Sequence, residues 1–135
     1  MSEAQRNLPP VTVETRPFWE ACRDGRLLLQ QCRGCGHRQF YPRLVCSQCL
    51  GRELDWIEAC GRGQVESFTI MRQAISPAYR NDLPYVVAII RLAEGPTMLS
   101  NVIDCDPEAL QIGMDVELRW ATVTDEITLP KFGPA

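Results

Sequence analysis

Four of the seven cysteines are arranged in two Cys-x-x-Cys pairs, Cys32 with Cys35 and Cys46 with Cys49. Ten residues separate the pairs, and glycines lie next to both of them. Each pair can turn two sulfurs towards one point, and four thiolates in a tetrahedron are the ligand set that a structural Zn²⁺ ion prefers. The spacing therefore predicts that these four cysteines bind one zinc ion and fold a small ribbon around it.

Two other chemistries use cysteine pairs of this kind, an iron site and thiol redox exchange. A rubredoxin-like iron site takes the same four sulfurs, so the spacing does not choose between zinc and iron. A redox site of the thioredoxin type needs one pair at the start of a helix, whereas both pairs here fall in short loops. A metal with four protein sulfurs has no open position for water or substrate, so we expect it to be structural.

The expected location of the protein bears on the remaining cysteines. The first fifteen residues do not have the pattern of a signal peptide, and no apolar run is long enough to span a membrane. We therefore expect a cytoplasmic protein with reduced thiols, and an odd number of cysteines cannot pair completely within one chain. Cys22 and Cys105 are expected to be small buried side chains. The sequence does not decide whether Cys60 is buried in the same way.

No catalytic constellation is evident in the sequence. His37 is the single histidine, and its position two residues after Cys35 favours a side chain beside the metal site over a ligand. The glycine motifs of nucleophile elbows, phosphate loops and dinucleotide-binding turns are missing. An independent enzyme that acts through an isolated carboxylate is a minor alternative.

The segment before the ribbon has the signals of a short helix. Thr15 can cap the helix, Pro17 suits its first turn and Gly25 can end it. Phe18 and Trp19 would then lie on one face, which we expect to pack in the core. A strand at residues 27–31 leads into the first cysteine pair.

Short strands separated by turns follow the ribbon. PYVVAIIRLA is an apolar run typical of a buried strand, and MDVELRWATV alternates as a half-buried strand does. DPEALQIG predicts a small helical insert between the third and fourth of five strands. A closed OB-type barrel accounts for this order and leaves no free sheet edge, with a β-sandwich as the rival.

The predicted protein is therefore mainly β, with an N-terminal helix, a rubredoxin-like four-cysteine zinc ribbon and a five-stranded OB-fold barrel. The predicted division of the chain is residues 1–14 as a flexible N-terminus, 15–31 as helix and lead-in strand, 32–52 as zinc ribbon, 53–128 as barrel, and 129–135 as a tail without strand structure.

The order of these segments resembles a known family. FWEACRDGRLLLQQCRGCG, YPRLVCSQC, LPYVVAIIRL, LQIGMDVELRW and LPKFGPA are similar to segments of the zinc-ribbon/OB-fold proteins once called domain of unknown function 35. The resemblance covers nearly the whole chain from about Pro17. It implies a non-catalytic subunit that forms a hetero-oligomer with a thiolase-superfamily enzyme, a thiolase, acyltransferase or retro-aldolase of steroid or aromatic degradation.

The resemblance also implies ligands. The four paired cysteines match the zinc ligands of the family, and acyl-CoA is the expected organic ligand. No motif assigns the acyl-CoA contacts, but Arg33, Arg38 and Arg43 are weak candidates for its phosphates, because residues 26–52 contain five arginines and no acid.

The alternative function is a module that binds single-stranded nucleic acid, since zinc ribbons and OB barrels are both used in this way. Residues 63–135 contain five basic and ten acidic residues, a balance of −5. A negatively charged barrel would repel an extended phosphate backbone, so nucleic acid is an unlikely partner.

Overall fold

The computed structural model describes residues 10–73 and 83–135, and within them the protein is mainly β. The predicted flexible N-terminus falls largely outside these residues. The elements are α1 (Arg16–Arg23), β1 (Leu28–Cys32), β2 (Arg38–Gln39), β3 (Leu54–Glu58), β4 (Arg62–Met71), β5 (Tyr85–Leu92), β6 (Thr97–Val102), a 3₁₀ turn (Pro107–Ala109), β7 (Asp115–Thr122) and β8 (Thr128–Pro134).

Helix α1 begins and ends where the sequence predicts. Thr15 occupies the N-cap position and Pro17 lies in the first turn. The Thr15 hydroxyl does not cap the helix, because it accepts the backbone N–H of Thr12 at 2.9 Å instead. Gly25 ends the helix with a φ of +76°, a left-handed conformation that glycine adopts without steric cost. The apolar face of the helix is buried, with Phe18 only 1% exposed.

A small antiparallel sheet in the order β2-β1-β3 follows the helix. β3 pairs along its whole length with β1, from Leu28 opposite Glu58 to Cys32 opposite Leu54. The prediction that the barrel starts at residue 53 is therefore wrong, since β3 belongs to the ribbon sheet. The alternation of a strand tells which face is buried but not which neighbour it pairs with.

The remaining strands form a closed barrel in the order β4-β5-β6-β8-β7. Neighbouring strands are antiparallel except β6 and β8, which pair in parallel at Val102 and Phe132. The 3₁₀ turn lies between β6 and β7, the third and fourth barrel strands, where the helical insert is predicted. The predicted five-stranded OB-type barrel is confirmed, and the rival β-sandwich is not what forms.

The predicted tail is a barrel strand. β8 pairs with β7 from Thr128 opposite Thr122 to Pro134 opposite Val116, and it closes the barrel against β6. The prolines and glycine of this segment removed the usual strand signals. Two prolines are tolerated because the strand is held through the backbone groups of neighbouring residues, such as the Phe132 carbonyl, which accepts the Ile103 N–H at 2.7 Å.

One apolar core joins the two sheets and the helix. It includes Phe18 and Leu29 from the helix and the ribbon sheet together with Val65, Ile90 and Phe132 from the barrel. The ribbon and the barrel are therefore packed on each other through shared side chains. In the described part of the chain, no helix has both the length and the apolar character needed to cross a bilayer.

Candidate metal centre

The two cysteine pairs have the same backbone geometry. In each pair the first cysteine donates its N–H to the carbonyl five residues later, from Cys32 to His37 at 2.9 Å and from Cys46 to Gly51 at 2.8 Å. Its carbonyl accepts the N–H four residues later, from Gly36 and from Leu50, at 2.9 Å in both cases. These closed turns are the local structure that each Cys-x-x-Cys spacing encodes.

The two turns bring all four sulfurs together. The Sγ atoms of Cys32, Cys35, Cys46 and Cys49 lie within 4.8 Å of one another. Across the pairs, Cys32 and Cys49 are 3.5 Å apart and Cys35 and Cys46 are 3.6 Å apart, measured between sulfurs. A tetrahedral zinc site with Zn–S bonds of about 2.3 Å requires S–S edges of about 3.8 Å. The donor set therefore fits a tetrahedral metal ion, and the separations are far longer than a disulfide bond.

The backbone around the sulfurs favours the thiolate form. N–H groups of Cys49 and Gln48 point at the Cys46 sulfur and, against its burial, lower the pKa of that thiol to about 7. The Cys35 N–H lowers the pKa of the Cys32 thiol in the same way. A thiolate is the form that binds a metal. In the other cysteine of each pair the balance is reversed: against the N–H groups of His37 and Gly51, burial and hydrogen bonds with neighbouring sulfurs raise the pKa of the Cys35 and Cys49 thiols.

Close packing around the sulfurs explains a glycine in the ribbon. A Cβ atom on Gly51 would lie 3.2 Å from the Cys49 sulfur and 3.7 Å from the Cys32 sulfur. The first of these is tighter than most real Cβ contacts, so a side chain here would push against the metal ligands. His37 lies beside the cluster and not in it, since its Nε2 is 3.2 Å from the Ser47 hydroxyl.

Two buried glutamines hold the ribbon loop, and the sequence analysis missed them. Gln30 and Gln39 are cross-strand partners, 4% and 5% exposed, and the Gln39 amide donates to the Gln30 side-chain oxygen at 2.8 Å. Gln30 also bonds both backbone groups of Arg43, while Gln39 bonds the Val45 carbonyl and the Ser47 N–H. This network fixes the loop that leads into Cys46. β1 reads LLQQC, which does not alternate, so no pattern in the sequence marked Gln30 as buried.

The structure does not join the three candidate arginines in a common contact. Arg33 forms an ion pair with Asp55 at 2.8 Å, which raises the pKa of its guanidinium. Arg38 donates to the carbonyl of Glu94 at 3.3 Å and so connects the ribbon to the barrel. Arg43 is exposed, and its side chain has no ion pair in residues 10–73 and 83–135. Of the three candidates, Arg43 is thus the one whose guanidinium has no ion pair or hydrogen bond among the described residues.

The other three cysteines lie apart from the cluster. Cys22 is fully buried, and its burial raises the pKa of its thiol to about 12. Cys105 is half-buried, and its pKa is raised by burial and by the neighbouring carboxylates of Asp106 and Asp104. Cys60 is exposed in the connection between the two sheets. The expectation of a buried side chain is therefore right for Cys22 and partly right for Cys105.

The fold and the cluster together define a zinc-ribbon/OB-fold protein. A family model described as the ChsH2 rubredoxin-like zinc ribbon domain matches residues 19–55, and one described as the ChsH2 C-terminal OB-fold domain matches residues 56–121. A DUF35 domain-containing scaffold protein of Methanothermobacter thermautotrophicus is 32% identical over 97 residues, 71% of this chain and 72% of that protein. The chain belongs to this DUF35 (ChsH2) family.

Two further similar proteins are parts of enzymes by name. The probable enoyl-CoA hydratase alpha subunit of Thermomonospora curvata is 35% identical over 133 residues, 98% of this chain. The chain spans 41% of the length of that relative. A solved structure titled Ltp2-ChsH2(DUF35) aldolase contains a chain with 34% identity and a TM-score of 0.84, covering 94% of this chain and 98% of that one.

Proposed function

We propose that this protein is a non-catalytic subunit that docks on a thiolase-superfamily enzyme and helps it hold an acyl-CoA. The observation that carries the proposal is the likeness to the DUF35 chain of an aldolase, which extends over 94% of the chain at a TM-score of 0.84. In this proposal the partner supplies the catalytic groups for thiolysis, acyl transfer or retro-aldol cleavage, as in steroid or aromatic degradation, and the complex is a cytoplasmic hetero-oligomer.

Within this proposal, Cys32, Cys35, Cys46 and Cys49 hold a structural Zn²⁺ ion. The ion supplies no reaction chemistry, because four sulfurs occupy its coordination positions. Other residues of the chain position the ribbon. The Gln30–Gln39 pair holds the loop that leads into Cys46, and Arg38 connects the ribbon to the barrel through a hydrogen bond. The ribbon loop is thereby held by buried hydrogen bonds, and the ribbon sheet shares the apolar core of the barrel.

The arginines of the ribbon are the proposed contacts to the phosphates of acyl-CoA. Arg43 is the strongest of the three, because Arg33 is paired with Asp55 and Arg38 with a barrel carbonyl. We expect Arg43→Ala to weaken acyl-CoA binding to the complex about tenfold, the value of one charged hydrogen bond. Arg91→Ala is the matched control, since Arg91 lies on the barrel and pairs with Glu66. Calorimetric titration of acyl-CoA into the complex compares the two.

The partner is tested by purifying the tagged chain from its own host at moderate salt and identifying the proteins that elute with it. A thiolase-like chain in stoichiometric amount is the expected result. Ribosomal proteins or nuclease-sensitive nucleic acid in its place would contradict the proposal and favour the nucleic-acid-binding alternative. A salt-sensitive affinity for oligonucleotides would have the same meaning.

The metal is tested with Cys46→Ser. This variant leaves three thiolates, so we expect it to lose the bound metal and to melt at a lower temperature, because metal binding is coupled to folding of the ribbon. Cys60→Ser is the control, as Cys60 lies outside the cluster. Metal analysis of the purified wild type distinguishes zinc from iron. Full metal content in Cys46→Ser would show that the four-sulfur assignment is wrong.

A further inference from the structure

The second cysteine turn holds a leucine in a backbone conformation that is usual for glycine. Leu50 has a φ of +64°, and the matching residue of the first turn is Gly36, with a φ of +79°. The two positions have equivalent backbone hydrogen bonds, to Cys46 and to Cys32. The left-handed conformation is unfavourable for a bulky side chain, because Cβ comes too close to the following carbonyl oxygen. Leu50 is therefore strained where the first turn is not.

The side chain of Leu50 does not recover this cost by packing within the chain. It is 73% exposed, and Leu44, on the other side of Cys46, is 66% exposed. One exposed leucine is ordinary on a protein surface. A leucine that is exposed and also strained is unusual, and strained residues of this kind cluster at functional sites. The two observations together indicate that Leu50 contacts another molecule.

The charges around Leu50 indicate the kind of surface that it contacts. Within seven residues of Leu50 in the sequence, Arg43, Arg52 and Glu53 are exposed, and Asp55 is paired with Arg33. Neither Arg43 nor Arg52 has an ion pair in the part of the chain that the structure describes. Apolar side chains at the centre with charged residues at the rim are usual for protein interfaces. A partner complementary to this surface has an apolar hollow with charged side chains around it, acidic where they face Arg52.

We propose that Leu50 is the anchor by which the ribbon docks on the thiolase-like subunit. Its side chain enters an apolar hollow of that subunit, and Arg52 faces an acidic residue at the rim. The inference rests on the proposed function for the identity of the partner and adds the surface that binds it. It also accounts for a leucine at this position of the second turn. The metal site does not require one, since Gly36 completes the first turn equally well.

The test uses the full chain and the purified thiolase-like subunit identified with the wild type. In Leu50→Gly the strain and the anchor are both removed, and in Leu50→Asn the side chain is replaced by one that tolerates left-handed backbone. We expect both variants to keep their metal and to melt at or above the wild-type temperature. We expect their affinity for the subunit to fall about tenfold or more, as for a buried interface anchor. Leu50→Met keeps an apolar side chain at this position and should retain most of the wild-type affinity.

The matched control is Leu99→Ala, because Leu99 is 68% exposed on the barrel strand β6. Its binding should stay within about twofold of the wild type, the range of a neutral surface change. Wild-type affinity in both Leu50 variants would overturn the anchor and leave the proposed function standing. A loss confined to Leu99→Ala would place the interface on the barrel. If the wild type binds no thiolase-like subunit, the proposed function and the anchor fail together.

Discussion

Closure of the barrel depends on β8, and Phe132 offers the sharpest measure of that dependence. Phe132 is 0% exposed, lies opposite Leu118 of β7 and pairs with Val102 of β6. A buried aromatic ring removes about 150–200 Å² from water, which at about 25 cal/mol per Å² corresponds to roughly 4–5 kcal/mol. Phe132→Ala keeps the backbone bonds and part of this area, so we expect a loss of about 3–5 kcal/mol in the free energy of unfolding.

A loss of this size is a large fraction of the roughly 5–15 kcal/mol that stabilises a typical domain. We expect the melting temperature to fall by about 10–20 °C. The assay is urea and thermal unfolding followed by tryptophan fluorescence, because Trp120 lies in β7 opposite Pro130 of β8. Metal content, measured on the same samples, should be unchanged, since the cysteine turns are in the other sheet.

Leu99→Ala is the control for this experiment, because its side chain is 68% exposed and its loss should change stability by less than about 0.5 kcal/mol. A loss below about 1 kcal/mol in the free energy of unfolding of Phe132→Ala would refute the reasoning, because truncating a side chain at the centre of a closed barrel costs more than this. Residues 129–135 would then be peripheral, as the sequence alone predicts.

Three further results follow from the geometry. Gln39→Leu removes three hydrogen bonds from the ribbon loop and should cost about 2 kcal/mol in urea unfolding, because buried polar groups lose their partners. Gly63→Ala should cost about 1–3 kcal/mol in the same assay, because its Cβ would lie 2.6 Å from the Arg91 carbonyl oxygen. At pH 8, iodoacetamide should alkylate exposed Cys60 well before Cys22, because burial raises the pKa of the Cys22 thiol to about 12 and only the thiolate reacts.

Each of these predictions has a control. Gln31→Leu changes a partly exposed residue of β1, the strand that pairs with the strand of Gln39. Gln31 has one side-chain hydrogen bond, at 3.5 Å, so this change should be nearly neutral. Ser67→Ala changes an exposed residue of β4, the strand of Gly63. Alkylation of Cys22 should become fast only above the unfolding midpoint. Equal effects of the test and control variants, or early labelling of Cys22, would contradict the reasoning.

The cysteine spacing alone was enough to predict the centre of the candidate site, because a Cys-x-x-Cys pair is a local signal. The hydrogen bonds that close each turn span four or five residues, so they depend only on residues near each pair. The helix was predictable for the same reason, since Pro17 and Gly25 act on their own backbone. The glutamine network was not predictable, because Gln30 and Gln39 meet only when β1 and β2 pair.

The sequence by itself determined the order of the parts: a short helix, two cysteine turns and a set of strands with an insert before the fourth barrel strand. Only the tertiary structure decided that β3 pairs in the ribbon sheet, that residues 128–134 close the barrel, and that Leu50 is strained and exposed. The reason is physical. Capping, turns and alternation depend on neighbouring residues, whereas strand pairing and exposure depend on residues far apart in the chain.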